Sequence, residues 1–161
     1  MPREIFFDEK AFIISKTCTK GKITYGNELF FEMSGYVPSE IMGAPHNILR
    51  HGDMPSAVFK LLWETIRRKE EIFAAVVNKT KNDDFYWVMA HVTPSFDDHG
   101  EIIGYHSVRR KPSTKMLDII KPIYKTVLEA ERVSGIHAGE KKLMEILQST
   151  GKSYEEFILS I

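Results

Sequence analysis

Cys18 is the only cysteine in 161 residues, which excludes an internal disulfide, a cysteine zinc site and a C-x-x-C redox pair, and fits a reducing compartment. Charge of one sign is equally lacking. The 22 basic residues stand against 22 acidic ones, so no overall field draws in nucleic acid or an anionic membrane. Nowhere do about 18 apolar residues run together, as a membrane-spanning helix would need. The N-terminus, Met1 to Lys10, carries Arg3, Glu4, Asp8, Glu9 and Lys10 in place of the apolar core of a secretory leader. The expectation is a cytoplasmic protein, peripheral to the inner membrane only through a partner. Also missing are a Gly-rich phosphate loop, a G-x-S-x-G nucleophile elbow and a zinc-protease His pair, so the chain is not expected to be an enzyme.

What is present is an ordinary folding domain: 43% hydrophobic residues against 27% charged, enough to bury a core without staples. Ala11 to Thr17 and Lys22 to Tyr25 are short and β-branched around Thr19, Lys20 and Gly21, and predict a hairpin. From Asn27 to Lys69 short helical pieces are punctuated by Gly35, Pro38, Gly43, Pro45 and Gly52. The last piece is the most regular, with Val58, Leu61, Leu62 and Thr65 on one face, Pro55 in its first turn and Asp53 as a capping side chain.

Three strands follow, Ile72 to Asn78, Phe85 to Thr93 and Ile102 to Val108, separated by polar turns. Both alternate sets of the middle one are apolar, which predicts an interior strand covered on both faces. The order yields an α+β domain over residues 1–112, a five-stranded antiparallel sheet with short helices on one face. Residues 113–161 read as a helical signalling or docking extension. There Met116, Ile120, Ile123, Val127 and Ala130 form a seam that wants a partner surface, in a homodimer or on another protein, and Pro122 predicts a kink or break. A pair of helices around Gly151 ends the chain.

The densest polar cluster is Pro45-His46-Asn47-Ile48-Leu49-Arg50-His51-Gly52-Asp53-Met54-Pro55. With Asn27, Asn78 and Asn82 it offers an Arg fork for phosphate and amides that read the edge of a planar heterocycle, which suits a nucleotide-like ligand. The plainer alternative makes Asn27 and Asp53 helix caps, Arg50 a surface cation, and His46 and His51 loop histidines.

The motifs Ile23-Thr24-Tyr25-Gly26-Asn27, Ser34-Gly35-Tyr36, Pro45-His46-Asn47, Arg50-His51-x-Asp53-Met54-Pro55, Lys81-Asn82, Tyr86-Trp87-Val88, Thr93-Pro94, Gly104-Tyr105 and Ser107-Val108-Arg109 resemble the aerotaxis-receptor type of PAS domain. The likeness spans about residues 20–130 and continues through Pro122-x-Tyr124-Lys125 and Ile136-His137-x-Gly139. Many motifs in register carry it. It implies a PAS fold and a non-covalently held FAD, with Asn27, Arg50, His51, Asp53 and Asn78 at flavin-binding positions, and Trp63, Phe73 and Trp87 completing the candidate set. Where the family has a Trp ahead of the central sheet and a basic residue before the Asn, this chain has Ile72 and Val77, and Phe73 partly replaces the ring. Because the chain stops before a membrane anchor or methyl-accepting region, it resembles the separate sensor of a bipartite energy-taxis system. The implied partner is a membrane-bound, methyl-accepting chemotaxis-type receptor without a sensor of its own.

Three rival readings stay open on the residues. His46 or His51 would be the axial ligand of a haem gas sensor. A cofactor-free interaction module would use the same fold. His51-x-Asp53 with His91 or His106 imitates a two-His-one-carboxylate iron site. A light-oxygen-voltage photoreceptor is excluded, since the segment from Gly43 to His51 has no reactive cysteine; Cys18 is expected to be a small buried hydrophobe.

Overall fold

The computed structural model describes residues 1–161. The predicted hairpin forms as β1 (Ile13–Thr17) and β2 (Ile23–Gly26), joined through a turn at Gly21, whose φ of 79° is open to glycine at no cost. Asn27 ends β2 and starts α1 (Glu28–Ser34): its Oδ1 accepts from the Phe30 amide at 3.0 Å. Gly35 in the left-handed region stops α1, and Pro38 opens the single turn of α2 (Pro38–Ile41). A 3-10 turn, His46–Leu49, leads to the long helix α3 (Ser56–Arg67), which buries Ala57, Val58, Leu62, Thr65 and Ile66.

Strands β3 (Ile72–Lys79), β4 (Phe85–Phe96) and β5 (Ile102–Arg110) complete an antiparallel sheet in the order β2-β1-β5-β4-β3. The helices between β2 and β3 cover one face. Three helices follow: α4 (Thr114–Ser134), α5 (Ile136–Thr150) and α6 (Tyr154–Ser160).

Here the fold departs from the sequence reading in three ways. First, of the kink or break expected at Pro122, the break does not occur: α4 is continuous through it. The proline removes one helical hydrogen bond, yet Met116, Ile120, Tyr124 and Val127 are buried along the helix, and that burial holds the turn together. Second, the apolar seam is already occupied within the chain: Tyr124 packs on Trp87 with ring centroids 5.9 Å apart. This is why β4 is buried on both faces, with Tyr86, Val88 and Ala90 toward α3 and Trp87 and Met89 toward α4. Third, Cys18 is half-buried rather than enclosed, because the tight β1–β2 turn leaves it at the sheet's rim.

Strand β3 lies at the sheet's edge, where unpaired backbone groups invite unwanted pairing. Two tyrosines cover it. The Ala75 amide donates to Tyr154 Oη at 3.2 Å, and Tyr124 Oη donates to the Ala75 carbonyl at 2.6 Å. Further along β3, the backbone of Arg50 bridges Asn78. The edge strand is thus held by the helical extension at one point and by the residue before α3 at another.

Candidate functional site

A cavity of about 280 Å³ lies between α3 and the covered face of the sheet. Its apolar walls come from Phe59, Leu62, Trp63 and Ile66 on α3 and from Val76, Ala90, Val92 and Tyr105 on the strands. Polar side chains enter at fixed places: Asn47 and Arg50 before α3, Asn78 on β3, and Ser15, His46, Ser107 and Arg109 at the β1–β5 end. Apolar walls with a few placed polar groups are the usual chemistry of a small-molecule site. The volume falls near the bottom of the usual range of about 300–1,000 Å³, so it accepts a ring system and not a whole dinucleotide.

Of the candidate residues named from the sequence, His46, Asn47, Arg50, Trp63 and Asn78 line this cavity. Asn78 is 4% exposed, and its Nδ2 has no hydrogen-bond partner. An orphaned buried donor costs about 1–3 kcal/mol, which an acceptor in the cavity would recover. Arg50 donates from Nη2 to Ser56 Oγ at 2.7 Å and lies 4.8 Å over the Phe59 ring. Trp63 meets Tyr105 edge-on at 5.5 Å.

Asn27, His51, Asp53, Phe73 and Trp87 do not reach the cavity. Asn27 is consumed by capping: besides Phe30, its Oδ1 accepts from the Ile14 amide at 3.1 Å, and its Nδ2 donates to the Phe12 carbonyl at 2.9 Å. His51 packs against Phe85 at 5.4 Å, and its Nδ1 accepts from the Asp53 amide at 3.0 Å. Asp53 has a side chain 67% exposed and does not cap α3. Phe73 and Trp87 are on the opposite face, by the period-2 alternation of their strands. Phe73 stacks on His91 at 4.1 Å, and Trp87 lies under α4.

The cap of α3 comes from elsewhere. Glu131 near the end of α4 accepts from the Ser56 amide through Oε2 at 3.0 Å and from the Ala57 amide through Oε1 at 2.7 Å. It fits because residue 139 is glycine: a Cβ there would be 2.3 Å from Glu131 Cγ. The last link of the cavity wall, Arg50 on Ser56, therefore abuts the point where the helical extension grips α3.

At the deep end, sequence reasoning named His46 but assigned no role to Ser15 or Arg109. Arg109 on β5 is 2% exposed and its Nε is unpartnered; its Nη2 donates to Ser15 Oγ. Ser15 in turn lies 3.1 Å from His46 Nε2, with Arg109 Nη1 at 3.5 Å from the same nitrogen. Burial, reinforced by the adjacent guanidinium, pushes the His46 pKa down to about 3, so His46 is a neutral imidazole accepting from its neighbours through Nε2. Burial also lowers Arg109 to about 10, opposed by the nearby Tyr86 hydroxyl, and the cation persists at neutral pH. The signal was legible in principle, since Ser15 pairs with Ser107 and Ile13 with Arg109 in the β1–β5 register, setting polar side chains at period 2 inside a buried sheet.

These positions bear on the rival readings. His51 is outside the cavity and His46 Nε2 faces a cation, so neither is disposed to ligate haem iron. His51, Asp53, His91 and His106 do not assemble, and no group of three metal-ligating side chains is found. No helix is long and apolar enough to cross a membrane.

The PAS-fold family model matches residues 23–109, more than half of the chain. The aerotaxis receptor of Escherichia coli K12 is 36% identical over 127 residues, 79% of this chain and 25% of that protein. A nitrogen fixation regulatory protein of Klebsiella pneumoniae is 22% identical over 103 residues, 64% of this chain and 21% of its own length. The chain therefore spans about a quarter or less of these relatives. Among solved structures, a light-oxygen-voltage domain studied with a flavin analogue superposes with a TM-score of 0.60 at 20% identity, covering 71% of this chain and 86% of that one. The sheet order, the helix-covered cavity and the family match agree: this chain belongs to the PAS-fold family.

Proposed function

We propose that the protein is a taxis sensor that holds FAD and passes its redox state to a membrane-bound, methyl-accepting chemotaxis-type receptor; it is not an enzyme. The observation that carries this reading is the unpartnered Asn78 amide aimed into a ring-sized apolar cavity, in a chain similar to an aerotaxis receptor over most of its length. The residues fit the cofactor: Trp63 and Tyr105 offer aromatic walls, Asn78 a donor for the ring edge, and Arg50, whose backbone bridges Asn78 and whose side chain reaches out to Ser56, a fork for the diphosphate.

When bound, the flavin supplies a ring whose hydrogen-bonding edge changes with its electron count. Asn78 then has to match either an acceptor or a donor, and its amide turns accordingly, because a mismatched buried pair costs about 1–3 kcal/mol. Strand β3 carries that change to Ala75, which Tyr124 and Tyr154 hold from the helical extension. Arg50 offers a second route: drawn toward phosphate, it leaves Ser56 beside the Glu131 grip. Both routes end on α4 to α6, the surface offered to the receptor.

An absorption spectrum of protein purified without added cofactor tests the reading, followed by chromatography of what heat releases. Flavin bands that bleach with dithionite, together with released FAD, are expected, and Asn78→Ala is expected to uncouple signalling. A Soret band, or a spectrum that stays flat after FAD is added, would overturn the proposal.

A further inference from the structure

The deep end of the cavity holds a cation with no counter-charge. Arg109 is among the largest fully buried side chains, yet it forms no ion pair with any carboxylate. Its neighbours compensate only in part: Ser15 Oγ accepts one hydrogen bond, the neutral His46 Nε2 lies 3.5 Å from Nη1, and the Phe30 ring lies 5.4 Å from the guanidinium carbon. The Tyr86 hydroxyl lies beside Asn78 and near the guanidinium, and neither it nor Asn78 Nδ2 closes a hydrogen bond of good geometry. Donors therefore crowd this side of the cavity, and no carboxylate lines it.

A buried ion without a partner costs a fold several kcal/mol. Such an arrangement persists in a protein whose ligand brings the missing acceptor. We propose that Arg109 is the residue that recognises the ligand's ring, donating to the carbonyl-bearing, electron-rich edge of a planar heterocycle, with Asn78 reading the same ring and Arg50 taking the phosphates at the mouth. This rests on the flavin reading above and gives it a direction: the polar edge of the ring faces Arg109 on β5, and its substituent faces the Arg50 side chain beside Ser56.

The assignment has a signature that an ordinary structural arginine would not produce. Replacing a buried charge that lacks a counter-ion by an apolar side chain of similar length relieves the empty protein. Replacing an arginine that holds the fold does the opposite. The test is a thermal melt of wild type and Arg109→Met, each alone and with saturating riboflavin, which carries the ring without phosphates, plus a riboflavin titration by fluorescence.

Arg109→Met is expected to melt higher than wild type when empty, to bind riboflavin at least tenfold more weakly, and to lose most of the ligand-induced rise in melting temperature. Arg109→Lys, which keeps the charge without the planar fork, is expected to recover part of the affinity. An Arg109→Met protein that melts lower than wild type or fails to fold would show a structural arginine and overturn the proposal. Equal riboflavin affinity in the two proteins would overturn it as well. Wild type that takes up neither riboflavin nor FAD would instead overturn the flavin reading itself.

Discussion

Gly139→Ala offers a sharp test of how the helical extension is fastened to the sensor. Gly139 lies in the first turns of α5, where alanine would ordinarily be the better helix former by up to about 1 kcal/mol. A Cβ at this position would lie 2.3 Å from Glu131 Cγ and 2.7 Å from its Oε1, so the carboxylate must leave the amides of Ser56 and Ala57. Losing a side-chain cap costs about 0.5–2 kcal/mol, and losing a carboxylate at a helix N-terminus about 0.3–1 kcal/mol more. In the wild-type background the two effects oppose, and Gly139→Ala is expected to fall between neutral and destabilising by about 2 kcal/mol. In a Glu131→Ala background the carboxylate is gone and the same substitution is expected to stabilise by up to about 1 kcal/mol. The effect of one methyl group thus improves when a side chain on another helix is removed. Urea denaturation of the four proteins, at constant m-value, measures the coupling. If Gly139→Ala shifts stability equally in both backgrounds, to within about 0.5 kcal/mol, Glu131 does not grip α3 through the space that glycine leaves.

Two further outcomes follow from the same contacts. His46, held neutral with a pKa near 3 by burial and by Arg109, titrates below its value of about 6.5 in the unfolded chain. The unfolded state therefore takes up the proton first, so the stability from this residue is complete above about pH 6.5 and is lost as pH falls toward 3, amounting to about 2 kcal/mol by pH 5. His46→Gln should flatten the dependence of urea midpoints between pH 7.5 and 5 (about the window set by these values), and an unchanged slope would refute the assignment. The two tryptophans should separate cleanly: Trp87→Ala is expected to cost about 3 kcal/mol of stability while leaving flavin affinity intact. Trp63→Leu is expected to weaken flavin binding by a larger factor than it lowers stability, and the reverse pattern in a titration and a melt would mean the cavity has been assigned to the wrong face.

The sequence by itself determined the element order, because period-2 and helical spacing, capping side chains and the glycines and prolines between them are local physics. Residue chemistry also marked Arg50 and Asn78 as candidates for a ring-and-phosphate ligand, and the family resemblance added Trp63. Alternation states which residues share a face and is silent on which face a helix will cover. Hence Phe73 and Trp87 could be proposed beside Asn78 although Val76, one residue from Val77, looks into the cavity and they look away. Asn27 illustrates a different limit: an amide able to read a heterocycle is equally able to cap a helix, and only the positions of Phe12, Ile14 and Phe30 decide between them. Distance along the chain hid the rest. The seam after Ser113 shows the right apolar period, but that it closes on Trp87 and β3 depends on the path of α4. Glu131 capping a helix 75 residues away, and Arg109 buried against Ser15 across 94, are meetings that no local rule contains. The tertiary structure made both, because burial of a charge or a helix end is a property of everything packed around it.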